Sequence, residues 1–484
     1  MKRTFILNLL FLIGINILIK PLYLLGVERA IQNAVSPAAY GIYFEVFNFT
    51  FLFQILSDLG IQYFNNRHVA QYPFLLRKYF PYFLSAKGLL AALYAAITII
   101  GGFWAGYLPA NWILVLILMA IQLLTTFLSY IRSNISGLGW YYTDSFLSVL
   151  DKLVVILVLG VPLLAGMFSN GFSMIWLGWA QLAGLGIAVM TGLALLVRVS
   201  GFPSLKINRP FSWLILRESL PYAVAVLLMT MYTRLDAVLI GQLYHSSREE
   251  VGYYAEAYRL LDAANMIGVL FAGLLLPMYA RSVRDTPGLR LLSETGIRFL
   301  WGGVLTIVPT MMVFADEIMA ELYRHTTAYS GFMLKMLMLS FIPMSGNYIF
   351  STLLLATGFQ GKVNRIYLAG GIASVLLNSW LIPTNGGIGA SMVVAGTQGL
   401  VFIGMLIGCW YWIGVRIPFH LWVRFGMLAC SVWVSAIISK IYLWEIWCLW
   451  VLVIPLVVGL VGIFAYKLFD SVAMWNLLRL KAQK

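Results

Sequence analysis

Apolar residues run along this chain in long blocks, separated by short clusters of charged residues, Gly, Pro and Asn. The blocks lack both the two-residue alternation of a half-buried strand and the one-sided stripe of a surface helix. Each is about 20 residues long, the length at which an α-helix crosses a hydrocarbon layer about 30 Å thick. Fourteen can be placed, at about 5–25, 40–62, 79–103, 110–132, 143–166, 172–198, 218–242, 252–280, 292–316, 331–357, 362–382, 388–413, 417–438 and 447–470. Membrane β-strands would instead come as alternating pieces of about 10 residues. The pattern predicts an all-α polytopic membrane protein with about 14 transmembrane helices.

The first block follows Met-Lys-Arg in the manner of a signal sequence. Its apolar stretch outruns a signal core and no small-x-small cleavage site follows closely, so it is expected to stay as the first span. Connections are short, the longest lying at about 199–217, and no soluble domain is expected.

Lys and Arg set the direction of the spans. With the N-terminus in the cytoplasm, the inner ends carry Lys2, Arg3, Arg67, Arg77, Lys78, Arg132, Arg198, Arg217, Arg281, Arg290, Lys362, Arg416 and Lys481, among others. The outer loops then hold only Arg29, Arg248, Arg324 and Lys440, so both termini are expected to be cytoplasmic.

Composition agrees: 61% of the residues are hydrophobic and 10% charged, whereas a soluble surface takes about a quarter. The net charge of +14 does not point to nucleic acid, because the cations sit singly in short loops. An anionic membrane leaflet accounts for them. Cys409, Cys430 and Cys448 lie in apolar blocks without metal or redox spacing, and His68, His245, His325 and His420 are scattered. No metal and no cofactor is expected. "GFQGKV" at 358–363 fails as a phosphate loop, having Ala356 at the first Gly position and Val363 at the Ser/Thr position, and an enzyme is not expected.

The chain also repeats. "AAYGIYFEVF" at 38–47 and "EEVGYYAEAY" at 249–258 share Gly-x-Tyr-x-Glu-x-aromatic, with Gly41, Tyr43, Glu45 and Phe47 matching Gly252, Tyr254, Glu256 and Tyr258. Each copy follows a span with a cation in its outer half, Lys20 in the first and Arg234 in the seventh. A six-span repeat returns the chain to the same side, giving two parallel lobes around a normal axis, a plan suited to alternating access. The expected divisions are a first six-helix lobe at 1–200, a cytoplasmic linker at 201–217, a second lobe at 218–415, and two further helices with a cytoplasmic tail at 416–484.

Three stretches carry a family resemblance: "RLDAVLIGQL" with "EEVGYYAEAYRLLDA" over 234–263, "LLPMYARS" at 275–282, and "LLLATGFQGKVNRIYLAGGIASVLLNSWLIPTNGGIGAS" at 353–391. The chain resembles the multidrug/oligosaccharidyl-lipid/polysaccharide exporter (MOP) superfamily, and within it the bacterial Wzx-type polysaccharide repeat-unit flippases. The resemblance implies translocation of polyprenyl-pyrophosphate-linked oligosaccharide across the bacterial inner membrane, for O-antigen, capsule or exopolysaccharide synthesis. It implies a polymerase and chain-length machinery as partners, and a proton or sodium ion as a coupling candidate. The rivals are a peptidoglycan-precursor (lipid II) flippase and a cation-coupled drug antiporter. The antiporter resemblance implies an acid in the first span, where this chain has Lys20 and no acid before Glu28. The closely spaced arginines of the precursor flippase are missing from the first two spans.

A charge at bilayer depth costs at least about 2.5 kcal/mol and needs a cavity, a partner or a route to the interface. Lys335 is near a span end and is expected to snorkel, and Arg298 to pair with Glu294 one turn before it. That leaves Arg234, Arg259, Lys20, Lys152 and Lys87 as candidate cations for an anionic cargo head. Asp236, Asp262, Glu256, Glu45 and Asp151 are candidate coupling or structural acids. Arg259 has Glu256 and Asp262 three residues to either side, and Lys152 is adjacent to Asp151; Lys87 has no local partner, and Glu45 is expected at the depth of Lys20. Arg234 and Asp236, two residues apart, must point to nearly opposite sides of their helix.

Overall fold

A computed structural model of the chain describes residues 14–16, 18–62, 76–167, 171–201, 209–244, 248–283 and 285–468. Residues 5–13 of the first block, 202–208 of the expected 201–217 linker and the tail after 468 lie outside them, while 209–217 of that linker are already helical.

The fold is all-α, with no strand among the described residues. In hydrocarbon every backbone N–H and C=O must be satisfied inside its own segment, which a helix does and an open strand cannot. The twelve long helices among the described residues are α1 (Pro37–Phe53), α2 (Leu76–Trp104), α3 (Tyr107–Gly137), α4 (Tyr141–Val155), α5 (Met174–Ser200), α6 (Arg209–Leu243), α7 (Glu249–Arg281), α8 (Thr286–Val313), α9 (Ser330–Ala356), α10 (Gln360–Gly408), α11 (Phe419–Trp447) and α12 (Val453–Ala465). Before α1 the first segment ends in a π-wound turn, Leu22–Glu28, and a short helix, Arg29–Ala34.

Eleven apolar helical runs among the described residues are long enough to cross a membrane, and Trp450–Ala465 is a shorter one. The run at Gln360–Ile413 is far too long for one crossing. It breaks at Gly386 (φ 51°, ψ −130°), and a Cβ on Gly389 would stand 2.6 Å from the Leu381 carbonyl oxygen. In a continuous helix those positions would be about 12 Å apart, so the chain folds back here and makes two arms. The turn falls in PTNGGIG, where the block pattern places one. Large apolar side chains such as Leu376 and Trp380 stand exposed on the helix surfaces, as a lipid-facing shell requires.

The chain forms two compact units, residues 1–255 and 256–484. In the first, α3 packs along α5, α4 along α5, and α1 along both α6 and α3. Ser36 caps α1 through the Ala39 amide, and α1 ends in a tight turn, Gln54–Ser57, before Leu59 and Gly60 take positive φ. In the second unit, α9 packs along α10 and α8 along α9 and α11, around an aromatic core where Trp301 meets Phe402, Trp422 and Phe425.

Candidate functional site

Within the first unit a column of polar side chains threads the apolar helices. At one end Arg132, on the last turns of α3, donates from Nε to Asp144 at the start of α4 (2.7 Å). One turn along α4, Ser148 accepts from Asn16 of the first segment (2.9 Å). The next turn carries Asp151 and Lys152, 3.2 Å apart, and the Lys152 ammonium lies 4.8 Å from the ring centre of Tyr23. Lys20 shares this space, since the charges acting on it are those of Arg132, Lys152, Asp151 and Asp144. The column continues through Gln181 of α5, which donates to the Tyr23 hydroxyl (2.8 Å) and accepts from the Tyr43 hydroxyl of α1 (3.0 Å). Tyr40, one turn before Tyr43, donates to Glu28 (2.7 Å).

Backbone fit holds these helices close. A Cβ on Gly184 of α5 would stand 2.6 Å from the Asp151 carbonyl oxygen, so only glycine lets α5 approach α4 where the charges sit. From that end to its middle the column holds three cations, Lys20, Arg132 and Lys152, against two carboxylates, Asp144 and Asp151. An excess of cations suits an anionic ligand: Arg can grip phosphate oxygens in pairs and Lys supplies a compact point charge.

The other expected residues fall in separate places. On α6, Arg234 lies over the Phe51 ring of α1 (5.5 Å to its centre), while Asp236 accepts from the Tyr254 hydroxyl of α7. Lys87 of α2 is buried in an ion pair with Asp58 and lies 5.5 Å from the centre of the Tyr130 ring. Its partner comes from the turn after α1, 29 residues away, which no local spacing reveals. Glu45 does not pair with Lys20, although both were expected at one depth. It accepts from the Tyr107 hydroxyl (2.7 Å) and from Nε2 of Gln242 on α6 (3.4 Å). Equal depth fixes height along the membrane normal but not the side a residue faces.

In the second unit Arg259 holds Asp262 (3.1 Å), and Glu256 is buried with Oε2 accepting no hydrogen bond. Lys335 pairs with Asp316 (2.6 Å) and Arg298 with Glu294 (3.7 Å). Sequence reasoning missed Arg132, Tyr23, Gln181, Tyr107 and Gln242 as members of polar networks, whereas Asp144 stands two helical turns before Lys152 in the sequence. Arg132 reads as a topology determinant, and the aromatic and amide residues carry no spacing signal. No group of three or more His, Cys, Asp or Glu among the described residues could hold a metal ion.

The bundle of membrane helices has the fold of solved MOP-type structures. They include a lipid II flippase MurJ in an inward closed conformation (TM-score 0.66, 11% identity, covering 94% of this chain and 98% of that one). A MOP superfamily transporter from Pyrococcus furiosus, described as having reversed binding-pocket polarity, superimposes at a TM-score of 0.58 (14% identity, 83% of this chain and 93% of that one). A MATE transporter in complex with MaD3S follows at 0.56 (15% identity, 83% and 94%). Residues 6–283 match the family described as polysaccharide biosynthesis protein, and the chain belongs to that family. No curated protein matches it.

Proposed function

We propose that this protein is a flippase that moves a polyprenyl-pyrophosphate-linked oligosaccharide repeat unit across a bacterial inner membrane by alternating access. The observation that carries the reading is the cluster of Lys20, Arg132 and Lys152 between the helices of the first unit, in a chain of the polysaccharide biosynthesis family. Three half-buried cations against two carboxylates leave an excess of positive charge, and a lipid diphosphate head balances it while its tail stays in the bilayer. Arg234 and Arg259 would serve the head at other points of its passage, and Lys87 would serve only if Asp58 released it. The product would pass to a polymerase and its chain-length machinery.

A lipid II flippase is the second reading, favoured by the likeness to MurJ over nearly the whole chain. Both cargoes share the diphosphate and differ in the sugar and the peptide. Native mass spectrometry of the purified protein with a polyprenyl-diphosphate oligosaccharide, with lipid II and with the bare polyprenyl diphosphate tests the proposal. Retention of the oligosaccharide lipid, lost in Lys152→Ala, supports the repeat-unit reading. Preferential retention of lipid II transfers it to the second reading.

A further inference from the structure

Glu45 stands at a point where three helices meet. It is 4% exposed on α1, and its only hydrogen-bond partners among the described residues are the Tyr107 hydroxyl at the start of α3 and the Gln242 amide near the end of α6. Both donors reach Oε1, and Oε2 accepts from neither. Gln242 also donates to the Tyr107 hydroxyl (3.1 Å) and to the Ala105 carbonyl (3.3 Å) in the α2–α3 turn. Its orientation follows from Ala105, since the reversed amide would set two carbonyl oxygens against each other. The α6 backbone closes tightly over the carboxylate: a side chain on Gly241 would collide with it.

None of the ion pairs among the described residues includes Glu45. The other charge acting on it is that of Arg248, in the turn before α7; α5 meets α1 through Gln181, which bonds to Tyr43 and not to Glu45. A carboxylate buried among apolar helices without an ion-pair partner has two remedies, convergent donors or a proton. The neighbours here are donors, a hydroxyl and an amide NH2, and not the ring of oxygen acceptors that a sodium ion would need. Gln242 is itself exposed, so water reaches the rim of the site.

We propose that Glu45 is a proton-binding residue that works as a latch, holding the end of α6 to α1 and to the α2–α3 turn while ionised and releasing it when Oε2 takes a proton. Hydrogen bonds to a charged carboxylate are about twice as strong as those to a neutral carboxyl. Ionised, Glu45 needs both donors and draws α6 in; neutral, it sits in apolar surroundings without them and the Gln242 contact lapses. The proposal rests on the transporter reading for its purpose, but its chemistry can be tested without cargo.

The experiment is pH-difference infrared spectroscopy of the purified protein in lipid, together with hydrogen exchange at the end of α6. Wild type gains a protonated-carboxyl C=O band on acidification, and amides at 240–244 exchange faster once the intrinsic pH effect is removed. Glu45→Gln lacks the band and exchanges fast at every pH, and Glu45→Asp restores both responses. In Tyr107→Phe, where the carboxylate is intact, the band moves because its donor is gone. A band that persists in Glu45→Gln, or that is identical in wild type and Tyr107→Phe, overturns the proposal. Absence of flipping by wild type would overturn the cargo reading and leave these spectra unaffected.

Discussion

Gly41 and Gly252, the matching glycines of the repeated motif, pack against each other in a reciprocal contact. A Cβ on Gly41 would strike the carbonyl oxygen of Arg248, and one on Gly252 would strike that of Pro37. Arg248 stands four residues before Gly252 and Pro37 four before Gly41, so each copy offers the other the same surface. That is the signature of an isologous, two-fold contact, here within one chain. Alanine at either position forces the first turns of α1 and α7 apart. We expect Gly41→Ala and Gly252→Ala to cost a similar amount, about 1–3 kcal/mol, and the double variant less than their sum. Gly399→Ala, with nothing within 4 Å of its Cβ, should be neutral. Thermal unfolding in detergent compares the four proteins.

The Lys87–Asp58 pair is a structural ion pair in the state described. Its side chains are 4% and 8% exposed, so removing either partner leaves the other as an uncompensated buried charge. Asp58→Asn and Lys87→Met should each destabilise by about 3–5 kcal/mol, whereas the double variant recovers most of the loss. A double-mutant cycle by chemical denaturation measures this.

The cation cluster makes a contrasting prediction. Lys152→Ala and Arg132→Ala should each weaken binding of a polyprenyl diphosphate by about 1.5–3 kcal/mol, the worth of a charge-assisted hydrogen bond. Lys335→Ala removes a cation whose carboxylate partner is half exposed, and should change binding little. Titration of the purified variants with the lipid diphosphate distinguishes the two classes.

Asp236 relies on Tyr254, again across α6 and the start of α7. Tyr254→Phe keeps the ring, deletes the donor and should cost about 1–3 kcal/mol of stability. Asp236→Asn in the same background should recover part of it, because a neutral amide is less costly to leave unpaired. Unfolding midpoints of the two variants decide.

The spans were legible because hydrophobic length is a one-dimensional property, and even the reversal at Gly386 announces itself through PTNGGIG. The repeated motif was legible too, and its glycines stand at matched positions where backbones touch. The polar networks were not. Lys87 with Asp58, Arg132 with Asp144, and Glu45 with Tyr107 and Gln242 join different helices, and hydropathy gives a residue's height but not its azimuth. Arg234 and Asp236 form the instructive middle case: their spacing alone separates them, and only the packing reveals that Phe51 and Tyr254 receive them.

The central claim is movement of a lipid-linked anionic sugar, and reconstitution measures it directly. Purified protein in liposomes receives a fluorescent polyprenyl-diphosphate oligosaccharide in one leaflet, and its arrival in the other is read by loss of protection from a membrane-impermeant quencher. Wild type should translocate the lipid well above protein-free liposomes, and a folded Lys20→Ala/Lys152→Ala variant should not. Export of a cationic dye with no movement of the oligosaccharide lipid would contradict that claim.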